Sequence, residues 1–346
     1  MAARDHTVQQ DLPIHMVQPI VFVTHAAESR QLYYGQAALD ALGALAELRL
    51  NPLDRPLTTP ELAEHAGGAA VIVADRATPG EAALFAALPG LAAFVRCAVD
   101  ISTIDVAAAS AAGVLVTRAS PGFAAAVAEL VLGFMIDLGR GISRAGIAYR
   151  AGRAPPVAMG TQIAGCTVGI IGFGVIGRRL ACVLRALDAE VLACDPHARI
   201  DPTLAVAVAM PDLLARSDFV VCLALASPAT ENLIDAAAFT RMRRGAYFIN
   251  GARGGLVDEA ALAAALDAGH LAGAAMDVGR AADQMPSPAL AARPDVVATP
   301  HVGGLTPQAA QHQAMETTRQ VADILSGRVP QGAVNADAIQ PRAHPR

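Results

Sequence analysis

The sequence predicts an α/β protein of two domains, with a doubly wound parallel sheet inserted into a smaller α/β domain. Three observations predict it. Short apolar segments alternate with helix-spaced segments twice along the 346 residues, the pattern of parallel strands joined by crossover helices. A long helical pattern over 123–150 separates the two runs. The second run opens on a Gly-x-Gly-x-x-Gly turn and is long enough for a complete sheet, whereas the first is complete only if the C-terminal helix returns to it. The expected division is 1–118 with 306–346 for the outer domain and 119–305 for the inserted one, each large enough to bury a core.

The elements follow in order. Ile20-Val-Phe-Val-Thr24 is a short apolar strand, and 31–48 has helical spacing. Ala69-Ala-Val-Ile-Val-Ala74 and Leu91-Ala-Ala-Phe-Val95 are strands, separated by a helical segment that stops at Pro89-Gly90. A helix over 104–112 and a strand over 113–117 continue the alternation. The 123–150 pattern is apolar nearly all round, which predicts a helix buried between domains or subunits. The second run reads strand 167–171, helix 175–187, strand 190–194, strand 218–223, helix 236–242, strand 246–250, helix 258–268, strand 273–277 and strand 296–299. A last helix spans 307–326, and the tail after Gly327, rich in Pro, Gly and Ala, is expected to fray.

Composition excludes several chemistries. All 26 residues in the Lys+Arg count are Arg, while 78 residues are Ala and none is Trp. Without Lys there is no Schiff base, no pyridoxal-phosphate anchor, no Walker-A phosphate contact and no Tyr-x-x-x-Lys dehydrogenase site. The net charge is −5 and the Arg residues are scattered, so no nucleic-acid partner is expected. No apolar run reaches about 18 residues, so no membrane span is expected. Residues 1–10 lack an apolar signal core, and the expectation is a cytoplasmic protein with a short disordered leader. The five cysteines, Cys97, Cys166, Cys182, Cys194 and Cys222, are odd in number and show no Cys-x-x-Cys. They read as buried free thiols, and no metal site is expected.

Val168-Gly-Ile-Ile-Gly172-Phe-Gly174-Val-Ile-Gly177 follows an apolar strand and opens a helix, with Asp195 at the end of the next strand. In that context it is the dinucleotide fingerprint of a Rossmann-type sheet. Gly172 permits the tight turn, Gly174 lets the backbone approach a pyrophosphate, and Gly177 lets helix pack on strand. The amides of Val175 and Ile176 face the phosphates. Asp195 is expected to accept hydrogen bonds from the adenine-ribose hydroxyls, which favours NAD over NADP, although Arg199 lies close by in sequence. Asp195 as a plain strand-end cap before Pro196 is the alternative reading.

Two further segments carry chemistry. Tyr247-Phe-Ile-Asn250-Gly-Ala-Arg253-Gly-Gly-Leu-Val-Asp258 puts an Arg at a strand end among glycines, suited to gripping a planar carboxylate. Thr299-Pro-His301-Val-Gly303-Gly304 puts a His at another strand end, suited to passing a proton near neutral pH.

In this order the motifs resemble the D-isomer-specific 2-hydroxyacid dehydrogenases, the family that includes phosphoglycerate dehydrogenase. Ile104-Asp105, the 111–117 stretch, Val127-Ala-Glu-Leu130, the glycine turn, 249–258, Ala275-Met-Asp277-Val278 and 299–304 all match. The resemblance implies a flavodoxin-like substrate domain around a Rossmann-type NAD domain. It also implies hydride transfer between NAD and a small 2-oxo or 2-hydroxy acid, and a homodimer built on the nucleotide domains. By resemblance Arg253 binds the substrate carboxylate and polarises its keto oxygen, His301 is the acid/base, and Asp277 bonds the nicotinamide carboxamide. Gly251, Ala252, Gly303 and Gly304 lie along the cofactor.

The chain departs from the family twice. A Glu that pairs with the His in the family falls on Ala282 here. Asp283 is the expected replacement, and the alternative is that no carboxylate pairs with His301. The substrate loop, Arg96-Cys97-Ala98-Val99-Asp-Ile-Ser-Thr-Ile-Asp105, has no Gly and is one residue longer. Arg96 is read as a second anion contact, or as a surface or helix-flanking residue. Two other functions remain open: an NAD-sensing scaffold with little turnover, and a formate-type dehydrogenase that uses an amide in place of the Glu, with Gln284 the nearest candidate.

Overall fold

The computed structural model describes residues 18–339, so the leader expected at 1–10 lies outside the described residues. The described chain divides into two compact units. One takes the residues up to Ser120 and those from Ala310 onward, and the other runs Pro121–Ala309.

In the first unit, strands β1 (Ile20–Val23), β2 (Glu47–Leu50), β3 (Val71–Ala74), β4 (Ala93–Arg96) and β5 (Leu115–Arg118) form one parallel sheet in the order β2-β1-β3-β4-β5. That is the flavodoxin-like order. Helices α1 (Ala27–Tyr33), α2 (Gln36–Gly43), α3 (Thr59–His65), α4 (Ala82–Ala87) and α5 (Val106–Ala111) make the connections. The helix expected over 31–48 is instead α1, α2 and β2. Gly35, at φ 81°, breaks the helix, and Glu47-Leu-Arg-Leu50 pairs with β1. Helix α3 was not anticipated; its signal is a capping box from Thr58 to Glu61, with Pro60 in the first turn.

The second unit begins with α6 (Ala124–Arg140) and α7 (Ile142–Arg150). The single helix expected over 123–150 is therefore two helices. Gly141 sits left-handed at φ 64° and caps the first of them, as glycine does at helix ends. Burial is also one-sided. Val127, Val131, Phe134, Met135 and Leu138 of α6 are buried, whereas α7 buries nothing within the chain.

Strand β6 (Thr167–Ile171), helix α8 (Val175–Ala186), strands β7 (Glu190–Cys194) and β8 (Val206–Ala207) and helix α9 (Met210–Arg216) follow. Then come β9 (Phe219–Cys222), α10 (Ala236–Arg241), β10 (Tyr247–Asn250), α11 (Glu259–Asp267), β11 (Gly273–Met276), α12 (Pro288–Ala291) and β12 (Val296–Ala298). These strands form one parallel sheet ordered β12-β11-β10-β9-β6-β7-β8. Its strand order reverses between β6 and β9, and ligands bind at such a switch point, beyond the carboxyl ends of the strands. Both faces are covered. Helices α6 and α8 pack Val131, Phe134, Leu180 and Leu184 on one side. On the other, α9 to α11 pack Leu213, Phe239 and Leu262.

Helix α13 (Pro307–Leu325) closes the chain. In the first unit its Ala314 and Val321 are buried with Val21, Val23 and Leu42, so this helix supplies the missing layer. The tail does not fray where it is described. Val334 N–H donates to Val116 O at 2.9 Å, and Arg118 N–H donates to Gly332 O at 3.0 Å, so 332–334 covers the β5 edge. Asn335 is buried and bonds Val116, Val114 and Ser110. A Pro/Gly-rich tail becomes ordered because an unpaired strand edge offers its backbone partners. All five cysteines are free thiols, but only Cys97 and Cys222 are buried; Cys182 is exposed on the outer side of α8, and Cys166 and Cys194 are half-buried. Among the described residues no helix is long and apolar enough to cross a membrane, and no cluster of His, Cys, Asp and Glu is arranged to hold a metal ion.

Candidate active site

The turn at the end of β6 is built by three glycines in three ways. Gly172 has φ 96°, and a Cβ there would lie 2.6 Å from the backbone of Leu223 and Ala224, so β6 and β9 meet at bare backbone. A Cβ on Gly177 would collide with Gly172 O, so the missing side chain is what brings the first turn of α8 onto the strand end. A Cβ on Gly174 would meet nothing within 4 Å. That glycine faces open space at the start of a helix whose free N–H groups, those of Val175 and Ile176 included, favour an anion.

Asp195, at the end of β7, is half-buried with both carboxylate oxygens engaged. Phe173 N–H donates to Oδ2 at 2.7 Å, and His197 and Ala198 N–H donate to Oδ1 at 2.8 and 3.0 Å. Burial disfavours its charge, yet the three N–H donors outweigh burial and hold the carboxyl below its ordinary value. Asp195 thus caps its own turn and also holds the glycine turn in place. The strand-end cap read from the sequence is thus present, and the carboxylate oxygens carry more lone pairs than these three bonds use.

The ends of β10, β11 and β12 are stitched to one another. Asn250 is buried and clamps the turn after β10. Its side chain accepts from Ala252 N–H at 3.1 Å and donates to Arg253 O at 3.0 Å. Sequence reasoning assigned Asn250 no role, although an Asn before a Gly at a strand end is a turn signal. Gly251 and Ala252 are half-buried. Arg253 is exposed and donates from Nη1 to Ala252 O at 2.7 Å. The next residue, Gly254, lies so close to the β11 loop that a Cβ would collide with Gly279 O.

Asp277 organises the loop after β12. Its carboxylate is buried and accepts from Thr299 Oγ1 at 2.6 Å, Val302 N–H at 2.8 Å and Gly303 N–H at 2.8 Å. Its backbone O accepts from His301 N–H at 2.9 Å. The role foreseen for this carboxylate was a bond to the cofactor. The structure shows it holding the His301 loop, with Thr299 as an unforeseen partner. Gly304 packs against Phe123, where a Cβ would come within 3.2 Å.

His301 is half-buried, with a positive φ of 55°. Its Nδ1 lies 2.8 Å from the backbone O of Asp283. Asp283 therefore reaches His301, but through its carbonyl and not the expected carboxylate. The reason is local: Asp283 and Gln284 are both left-handed, at φ 54° and 58°, and this tight turn aims a main-chain oxygen at the ring. Arg280, likewise unforeseen, anchors the turn by donating to Val257 O at 3.2 Å, Gly255 O at 3.1 Å and Asn232 Oδ1 at 2.5 Å.

The predicted substrate loop lies in the other unit, at the end of β4. Arg96 is neither a surface residue nor a helix flank: it is 0% exposed. Its Nη1 donates to Asp75 O, and its Nη2 donates to Thr78 O at 2.8 Å and Thr103 Oγ1 at 2.9 Å. Burial draws its pKa down to about 10, against the pull of Asp75 and Asp100, so it remains a cation that ties the loops after β3 and β4 together. These acceptors engage Nη1 and Nη2, while Nε is buried without a hydrogen-bond partner. Cys97 and Ala98 are buried and Val99 is half-buried. Burial pushes the Cys97 thiol up to about 12, so it is no nucleophile.

Residues 132–303 match the family model for the D-isomer specific 2-hydroxyacid dehydrogenase, NAD binding domain. Over 306 residues the chain is 36% identical to the D-3-phosphoglycerate dehydrogenase of Mycobacterium leprae (strain TN), covering 87% of this chain. The chain belongs to the D-isomer specific 2-hydroxyacid dehydrogenases. It spans 57% of that relative's length, and about half of the length of other curated family members it matches.

Solved structures agree in fold. A putative D-isomer specific 2-hydroxyacid dehydrogenase from Polaromonas sp. JS6 66 superposes with TM-score 0.81 at 25% identity, over 92% of this chain and 99% of that one. The TT0316 protein from Thermus thermophilus gives 0.79 at 27% identity, over 91% and 99%. The seven-stranded unit is thus the NAD-binding domain of this family member. Its residues fit the cofactor: the space over Gly174, the N-terminus of α8 and the carboxylate of Asp195 match a pyrophosphate followed by a ribose.

Proposed function

We propose that the chain is an NAD-dependent oxidoreductase that interconverts a 2-oxo acid and a D-2-hydroxy acid. The observation that carries this is the shared sheet edge. Arg253 and His301 stand at the ends of β10 and β12, on the same carboxyl edge as the glycine turn after β6. NAD, when bound, supplies or accepts the hydride. The cradle for it is made of Gly172, Gly174, Val175, Ile176, Gly177, Asp195, Gly251, Ala252, Asp277, Gly303 and Gly304.

Arg253 holds the substrate carboxylate through parallel N–H bonds and polarises the neighbouring carbonyl. On reduction, His301 gives the proton from its outer nitrogen, Nε2, to the carbonyl oxygen as the hydride arrives at carbon. On oxidation the same nitrogen takes the proton back. In this reading the described residues up to Ser120 and from Ala310 onward form the substrate domain, and Cys97, Ala98 and Val99 shape its loop while Arg96 braces it.

The protein works in the cytoplasm as a homodimer. Helix α7 exposes Ile142, Ile147 and Tyr149, and after it Val157 and Met159 are 105% and 100% exposed. Thr161 N–H then returns to Gly139 O at 2.8 Å, so the segment is an arm that leaves the NAD-binding domain and comes back. Apolar groups fully out in water favour burial by a second copy.

A two-way assay tests the function: NADH oxidation with a panel of 2-oxo acids, and NAD reduction with formate. Turnover with a 2-oxo acid and none with formate is expected. Tight NADH binding without any turnover would overturn it in favour of the NAD-sensing scaffold.

A further inference from the structure

The nitrogen that works in His301 is chosen by the one that does not. A carbonyl oxygen only accepts hydrogen bonds, so the 2.8 Å contact from Nδ1 to Asp283 O requires a proton on Nδ1. With Nδ1 protonated, the neutral ring carries its lone pair on Nε2.

The turn that delivers this carbonyl is self-bonded. Gly279 N–H donates to Gln284 O at 2.8 Å, Ala281 N–H to Met285 O at 3.0 Å, and Gln284 N–H to Ala281 O at 3.1 Å. Arg280 pins it to 255–257 from outside. Two consecutive left-handed residues, Asp283 and Gln284, are the conformational requirement, and Asp tolerates that region better than most residues. The Asp283 side chain itself is exposed.

We infer that Asp283 is a positioning residue that acts through its main chain: its left-handed carbonyl fixes His301 as the Nδ1–H tautomer, doing for the tautomer what a carboxylate does elsewhere in the family. This rests on the function proposed above only in assigning the proton transfer to Nε2. In both directions of that reaction Nδ1 keeps its proton and Nε2 exchanges its own. A carbonyl fixes the tautomer without placing a full negative charge beside the ring.

The test is nitrogen NMR on the full chain labelled at histidine, with the His301 signals identified by their loss in His301→Asn. The wild type is expected to show His301 as the Nδ1–H tautomer in its neutral form. Asp283→Asn and Asp283→Gly, which tolerate a left-handed backbone, are expected to keep that signature. Asp283→Val, which resists it, is expected to shift His301 towards the other tautomer, while its circular dichroism and NADH affinity report on folding. An Nε2–H tautomer in the wild type would overturn the inference. So would loss of the signature in Asp283→Asn, since that variant removes only the charge. If the Nδ1–H signature is present but no 2-oxo acid is turned over, the tautomer assignment stands and the proposed function falls.

Discussion

At the residue scale the account turns on a few side chains at strand ends. Arg253 acts on the substrate carboxylate in both the ground and the transition state. Arg253→Ala is therefore expected to raise KM and lower kcat together, by about 10- to 100-fold in kcat/KM, the worth of a charge-assisted bond. Unchanged values of both would remove Arg253 from the site. His25 gives a prediction of a different kind. Its ring is buried against Tyr34, and burial lowers its pKa from 6.5 to about 4; Asp75 opposes this, and Arg30 and Arg96 reinforce it. The unfolded chain takes up this proton at higher pH than the folded one, so the stability that neutral His25 contributes is lost as pH falls from about 6.5 towards 4. Urea midpoints measured across that window should fall less steeply in His25→Gln than in the wild type; equal slopes would contradict the assignment.

At the element scale the glycine turn separates folding from binding. Gly174→Ala adds a methyl where nothing lies within 4 Å, so it should leave Tm nearly unchanged and weaken NADH binding. Gly177→Ala adds one that collides with Gly172 O, so it should lower Tm by several degrees. Equal effects of the two on Tm would contradict this division of labour. The turn was legible in the sequence because spacing, a strand before and a helix after all coincide. Arg253 and His301 were legible as residue types at strand ends, and the NAD-binding domain was legible from their order. The partner of His301 was not, because a backbone carbonyl has no letter in a sequence and only the fold decides where it points. The burial of Arg96 was missed for a related reason: whether a guanidinium lies at the surface or is enclosed by loop oxygens depends on which loops close over it. The break at Gly141 was present in the sequence, but apolar residues on every side of 123–150 masked it; burial on one face and an uncovered apolar face on the other give the same pattern.

At the scale of the whole molecule, two parallel sheets of different strand order are made from one alternating sequence. The C-terminal helix and tail are what return the chain to the first of them. The exposed arm leads to a prediction about assembly: Val157→Asp with Met159→Arg should convert a dimer into a monomer in sedimentation or light scattering, while NADH binding persists. A variant that stays dimeric would place the interface elsewhere. The central claim is that His301 moves the proton that accompanies hydride transfer to a 2-oxo acid. The most direct measurement compares NADH oxidation by a 2-oxo acid in the wild type and in His301→Asn, with NADH affinity measured alongside. The account predicts D-2-hydroxy acid formation by the wild type and a kcat about 10²- to 10⁴-fold lower in the variant at similar NADH affinity; an equal kcat in the two proteins would contradict it.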